Sequence, residues 1–199
     1  MVRRTALQAD ATRASIMRAA ECVFCSAGFA GTTLEEVARI AGVTRGAVYW
    51  HFESKQQLLE SVCHAAVLAF EDAFAAPAAC APLQALAATA EAFFRTVAGR
   101  HDARHSSALL FKWGEQGGAD IIRSKRIALS THLRAHAGGC LELAVAARIL
   151  PDSTNIFTVA LAYEAYVFGV LESWLFAPSF DLAERAGELA GKAVGLVRA

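Results

Sequence analysis

The chain has 199 residues, of which 55% are hydrophobic, and its 19 basic residues balance its 19 acidic ones. That length can bury a substantial core in one domain or in a small domain joined to a larger one, while the zero net charge excludes a globally basic nucleic-acid binder. No run reaches the roughly 18 consecutive apolar residues of a spanning helix, and no charged-then-apolar signal segment opens the chain. Five scattered cysteines, an odd number, make a disulfide framework improbable, so a cytoplasmic protein with reduced thiols and no membrane partner is expected.

Helical periodicity runs through almost every long segment, and hairpin-bounded β-alternation is nowhere apparent, so the fold class is all-α. Charge concentrates at the start, where Arg3, Arg4, Arg13 and Arg18 stand against Asp10 alone. The first helix carries Ile16, Ala19, Ala20, Val23, Phe24 and Ala27 on one stripe and stops at Gly28, suited to a left-handed cap. Thr33 with Glu36 forms a capping-box pattern for a second helix over Leu34–Ala41, ended by Gly42. Thr44 caps a short third helix to about His51. Ser54 with Gln57 repeats the capping pattern for a fourth, running towards Pro77. Beyond a break at 75–82, helices are predicted at Leu83–Gly99, Ala103–Gly114, Ala119–Ala137, Leu141–Leu150, Thr154–Phe176 and Leu182–Arg198.

Two short helices across a glycine-containing turn are the ingredients of a helix-turn-helix, whose second helix enters the DNA major groove. On the third helix Val48 and Phe52 share one face, while Arg45 and Tyr49 share another with Gly46 and Trp50 beside them. Arg45 suits bidentate donation to guanine, Gly46 lets the backbone approach, and Tyr49 and His51 suit phosphates. Lys55, opening the fourth helix, is expected to add a phosphate contact reinforced by that helix's N-terminal amides. Spacing alone leaves an ordinary helical hairpin with solvated polar residues equally open.

The run Thr33-Leu34-Glu35-Glu36-Val37-Ala38 to Ala41-Gly42-Val43-Thr44-Arg45-Gly46-Ala47-Val48-Tyr49-Trp50-His51-Phe52, with Lys55 and Leu58-Leu59, closely resembles the DNA-binding domain of the TetR family. Near the C-terminus, Gly169-Val170-Leu171-Glu172-Ser173-Trp174-Leu175-Phe176-Ala177-Pro178 and Phe180-Asp181-Leu182 resemble the AcrR-type multidrug-efflux repressors, as do Met1-Val2-Arg3-Arg4-Thr5 and Ile149-Leu150-Pro151. The resemblance implies a DNA-binding part at 1–54 and a helical ligand-binding and dimerisation part at 55–199. It implies contacts to double-stranded operator DNA from Arg3, Arg4, Thr33, Thr44, Arg45, Gly46, Tyr49, Trp50, His51 and Lys55. The expected activity is repression of an efflux-pump operon, relieved by a small, largely apolar inducer, with no cofactor and no enzymatic step.

Three apolar faces bear on the inducer. Leu86, Thr89, Ala90 and Phe93 form one, Ser107, Leu110 and Phe111 a second, and Tyr163, Val167, Phe168 and Leu171 a third. Periodicity alone favours a filled core; the resemblance implies a cavity between the domains, with Ala66 and Phe70 of the fourth helix facing it. Glu164 and Glu172 are its polar candidates, either favouring cationic ligands or simply paired or solvated. The last two helices carry Val167, Val170, Leu171, Trp174 and Leu175, then Leu182, Leu189, Val194 and Leu196, more apolar surface than one bundle needs, which predicts a homodimer through a four-helix interface and a palindromic operator.

A thiol- or metal-responsive repressor of the same fold is the alternative. Cys22-Val23-Phe24-Cys25 has redox spacing but no second pair, and His101/His105 and His132/His136 are i, i+4 pairs without an accompanying glutamate. No phosphate loop, nucleophile elbow or paired catalytic carboxylates occur.

Overall fold

The computed structural model describes residues 2–74, 80–99, 101–112 and 118–198 and, within these, only the backbone of 2–6, 72, 101–103, 106, 112 and 198. Among the described residues all regular structure is helical: α1 (Val2–Gly31), α2 (Leu34–Ala41), α3 (Arg45–His51), α4 (Lys55–Glu71) followed by a 3-10 turn (Asp72–Phe74), α5 (Pro82–Gly99), α6 (His101–Lys112), α7 (Ala119–Ala146), α8 (Ile156–Phe176) and α9 (Leu182–Arg198). The expected all-α architecture is therefore present. By compactness the chain forms two units, one of 1–66 with 105–125 and the other of 67–104 with 126–199.

In the first unit, local capping decides where helices begin and end. The helical path of α1 breaks at Gly28, whose φ of 76° is open to glycine, and the Thr32 amide and hydroxyl then close on the Gly28 carbonyl at 3.0 and 2.6 Å. Thr33 Oγ1 accepts from the Glu36 amide at 3.2 Å, and Gly42 ends α2 in the left-handed region at φ 68°. Thr44 Oγ1 accepts from the Ala47 amide at 3.1 Å to open α3. Before α4, the Gln57 amide donates to Ser54 Oγ at 3.1 Å while Gln57 Oε1 accepts from the Glu53 amide at 2.6 Å. Ile16, Ala19, Ala20, Val23 and Phe24 of α1 are buried with Leu34, Val37 and Ala38 of α2, Val48 and Phe52 at α3, and Leu58, Leu59, Val62 and Cys63 of α4. Ala27 is exposed rather than completing the α1 stripe, since the helical path breaks at the next residue.

In the second unit α5 lies along α9, and α8 packs against both. Helix α7 corrects one expectation: it continues through Gly138-Gly139 where a break was predicted. Two helical glycines cost about 2 kcal/mol against alanine. The buried stripe Leu129, Leu133, Ala137, Leu141 and Ala144 spans the pair, and burying Leu141 alone offsets most of that cost at about 1.5–3 kcal/mol. Helix α8 is long and apolar enough to cross a bilayer by length and composition. Its Tyr163, Val167, Phe168, Leu171, Trp174 and Leu175 are buried in this unit, while Phe157, Leu161 and Phe176 are exposed.

Candidate functional site

The reading face expected on α3 is sorted as the spacing predicted. Val48 and Phe52 are 0% and 1% exposed, whereas Trp50 is 74% exposed and Tyr49 44%. Thr33, Thr44, Arg45 and Gly46 are exposed, and His51 is half-buried with its ring 4.5 Å edge-on to Trp50. A Cβ on Gly46 would meet only Thr44 Oγ1, at 3.9 Å, so this stretch of backbone is uncrowded. Arg45 is held on two sides, with Nε 2.9 Å from Glu35 Oε1 and Nη2 3.3 Å from the Tyr49 hydroxyl. Those two contacts raise the Arg45 pKa, the Tyr49 hydrogen bond first and the Glu35 charge second. On α2, Glu36 turns its carboxylate to Arg39, donors at 2.8 and 3.0 Å, instead of reaching back as a full capping box would; this bond holds Glu36 below the usual carboxylate range.

Lys55 is placed differently from expectation. Its ammonium donates to the carbonyls of Phe29 at 2.6 Å, Thr32 at 2.9 Å and Ala30 at 3.5 Å, and stands 4.4 Å from the Phe29 ring centroid. The last carbonyls of a helix have no intrahelical donor, so the positive charge is drawn to the end of α1. Arg13, counted with the basic arm, lies 5.0 Å over the Phe52 ring and reaches Ser61 Oγ at 3.5 Å. The side chains of Arg3 and Arg4 lie outside the described residues.

Of the expected ligand-facing residues, one group converges inside the second unit. Phe93 is ringed by Phe70 at 4.7 Å, Phe74 at 5.5 Å and Phe168 at 6.4 Å between centroids. Leu86, Ala90, Val167 and Leu171 are buried with them, and the buried Tyr163 hydroxyl donates to the Leu86 carbonyl at 2.7 Å. Thr89, fully buried, is hydrogen-bonded to His136 Nε2 at 2.9 Å. Ala66, Ser107, Leu110 and Phe111 are also buried but belong to the first unit. Both carboxylates already face arginines. Glu164, 8% exposed, accepts from Ser130, and Arg134 Nε stands 2.9 Å from its Oε2 as an ionic contact rather than an aligned hydrogen bond. Half-buried Glu172 takes Arg126 Nη2 at 2.5 Å, and that guanidinium lies 4.7 Å over the Phe168 ring. A cavity of about 470 Å³ opens elsewhere in this unit, between Thr131, Arg134, Ala135 and Gly138 of α7 and Ile156, Phe157 and Ala160 of α8. None of its lining residues was singled out from the sequence, because helical spacing alone does not say which two faces will leave a gap.

Residues 16–62 match the family model described as bacterial regulatory proteins of the tetR family, and residues 95–198 match that of the MAATS-type transcriptional repressor C-terminal region. Two regulators of Pseudomonas putida, ArpR and TtgR, are each 36% identical to this chain over 193 residues, covering 92% of it and 89% of themselves. The chain belongs to the TetR family. Among solved structures, NalD, the secondary repressor of the MexAB-OprM multidrug efflux pump in Pseudomonas aeruginosa, superposes with a TM-score of 0.76 at 25% identity, over 94% of this chain and 95% of its own. The SmeT–triclosan complex does so with a TM-score of 0.76 at 26% identity, over 92% and 90%. This TetR-family protein is thus a transcriptional repressor related to regulators of multidrug efflux.

Cys22 is exposed, and the half-buried Cys25 thiol donates to the His105 carbonyl at 3.3 Å. Burial pushes the Cys63 thiol up to about 12 and raises Cys140 as well, which disfavours the reactive thiolate at both. His132 faces Glu71 at 3.8 Å while His136 is bonded to Thr89, so this i, i+4 pair does not converge. The side chain of His101 lies outside the described residues. Among the described residues no group of three or more His, Cys, Asp or Glu side chains could hold a metal ion.

Proposed function

We propose that this TetR-family repressor binds a palindromic operator as a homodimer, controls a multidrug efflux operon, and releases DNA when a small, largely apolar molecule enters its C-terminal part. The observation that carries the proposal is the sorting of α3: an apolar face fully withdrawn beneath an exposed Arg45, Gly46, Tyr49 and Trp50. Trp50, 74% exposed, and Tyr49, 44% exposed, stand side by side on a seven-residue helix as an aromatic patch suited to contact with a partner surface. Residues 1–54 are assigned to DNA binding and 55–199 to ligand binding and dimerisation. Base reading falls to Arg45, phosphate contacts to Tyr49 and His51 with Arg3 and Arg4 of the first turn of α1, and close backbone approach to Gly46.

The preference for an apolar inducer rests on the phenylalanine cluster around Phe93 and on Glu164 and Glu172 being occupied by Arg134 and Arg126. With both carboxylates matched, the neighbourhood favours uncharged, aromatic-rich molecules over cations. Val167, Leu171, Trp174, Leu175 and Leu182, expected to be surplus apolar surface, are buried in the protomer's own core; dimerisation falls instead to the exposed α8 positions Leu161, Ala162, Ala165, Gly169, Ser173 and Phe176, one stripe of apolar and small residues suited to close helix approach. A repressor with these partners works in the cytoplasm, beside its DNA.

Recovery of host-genome fragments bound by the purified protein, followed by addition of efflux substrates to the complexes, tests the proposal. Enrichment of a promoter upstream of a pump operon, with release by an apolar compound, is the expected result. Enrichment of no palindrome, or release only by peroxide or metal, would displace this reading.

A further inference from the structure

Arg45 is not a free side chain waiting in solvent. Its Nε lies 2.9 Å from Glu35 Oε1, its Nη2 lies 3.3 Å from the Tyr49 hydroxyl, and its guanidinium sits 5.3 Å from the Tyr49 ring centroid. Glu35 stands on the first turn of α2 and Arg45 opens α3, so the ion pair ties together the two helices of the motif; Tyr49 is one turn further along α3. Arg45 and Glu35 side chains are 62% and 52% exposed, so neither is there to fill a core. With Nε occupied and one Nη2 hydrogen on Tyr49, the N–H groups left without a described partner are those at the outer end of the fork.

We propose that Glu35 is a specificity-determining residue of this repressor: it restrains Arg45 for a guanine edge and charges a penalty to its use on phosphate. The inference rests on the reading of α3 proposed above. A long arginine near DNA has two competing acceptors, the guanine O6/N7 edge, which carries sequence information, and the phosphates, which carry none. The Glu35 carboxylate holds the guanidinium by the nitrogen that a side-on phosphate contact would use, yet leaves the outer fork for guanine. Its own negative charge is repelled by the phosphate backbone on every sequence. On the right duplex the restraint is repaid by a prealigned base contact. On a wrong one the repulsion remains and nothing offsets it.

The test uses the full-length protein, the duplex it selects from a random-sequence library, and a scrambled version of that duplex. Glu35→Gln removes the charge and keeps the shape at an exposed position, and Arg45→Ala is run beside it. An exposed ion pair is worth about two- to fivefold per subunit, so two subunits of E35Q should bind the scrambled duplex about tenfold more tightly. Binding to the selected duplex should stay within about twofold, because lost prealignment offsets lost repulsion. The slope of log affinity against log salt on the scrambled duplex should steepen by about 1 per subunit, since Arg45 becomes free to neutralise a phosphate. A library reselected with E35Q should be degenerate at the base pair that R45A also relaxes.

If R45A relaxes one guanine while E35Q changes neither affinities nor slopes, the restraint is overturned and the reading helix stands. If E35Q weakens the selected duplex and loses preference for a cytosine, Glu35 accepts from that base itself and the proposal is again overturned. If R45A reselects the wild-type motif unchanged, the assignment of α3 fails and the restraint with it.

Discussion

Helices α2 and α3 are held by bonds that close within four residues, whereas α5, α7 and α8 are held by contacts between residues tens of positions apart. Thr33 bonds the Glu36 amide and Thr44 the Ala47 amide, and glycine at 42 supplies the left-handed stop. In the second unit the decisive contacts are Tyr163 to the Leu86 carbonyl, Thr89 to His136, and Ser130 and Arg134 to Glu164. The difference shows where specificity of structure resides in each half. A helix shorter than about 12 residues is marginal on its own, so α3, with seven, needs its cap and its buried Val48 and Phe52 together. A 28-residue helix such as α7 tolerates two interior glycines because its buried stripe continues on either side.

The largest effect is expected in the aromatic cluster of the second unit. Phe93→Ala should cost about 3–5 kcal/mol in reversible denaturation, since a fully buried ring with three ring neighbours leaves a cavity the surroundings do not collapse into. A loss below about 1 kcal/mol would mean that the ring already borders open space and that this cluster lines a pocket.

Gly118 extends the comparison to the segment of α6 and α7 that belongs with the first unit. Its φ is 87°, and a Cβ there would stand 2.7 Å from Leu59 Cδ2 and 3.2 Å from Phe29 Cγ. Gly118→Ala should cost about 2–4 kcal/mol from left-handed strain and overpacking combined, read as a lowered thermal midpoint. An unchanged midpoint would show that Leu59 moves aside freely.

Lys55→Ala should destabilise the fold by about 1.5–3 kcal/mol, because carbonyls at the end of α1 lose a charged donor. A variant with an unchanged melting curve but a salt slope for DNA binding reduced by about 1 per subunit would restore the phosphate role. Thr44→Ala should cost about 1 kcal/mol and Thr44→Ser much less, since only the hydroxyl cap of α3 is at stake.

The smallest effect concerns pH. Burial holds the His136 imidazole below its ordinary value of 6.5. Folding therefore favours the neutral ring, so its contribution to stability is full above that ordinary value and is lost as pH falls from there through the lower folded value. Thermal midpoints from pH 8 to 5 should decline more steeply for the native protein than for His136→Gln. Parallel curves would mean that protonated His136 finds compensation in the fold.

The all-α class, the break of α1 at Gly28, the ends of α2 and α3 and the split between the withdrawn and presented faces of α3 were legible in the residues alone, whereas the helical start of α1 at Val2 was not. Each legible feature depends on residues within one or two helical turns, where Thr, Gly and apolar spacing act without help from the rest of the chain. The continuity of α7, the capture of Lys55 by the end of α1, the pairing of Glu164 and Glu172 with Arg134 and Arg126, and the gap between α7 and α8 were decided only by tertiary structure. Charged side chains are long and find partners tens of positions away, as Arg126 does in Glu172, 46 positions on, so spacing shows which face they occupy but not which group they meet. Arg45 marks the boundary between the two: its place on the reading face follows from helical period, while its hold by Glu35, on the preceding helix, required the turn between α2 and α3 to be folded.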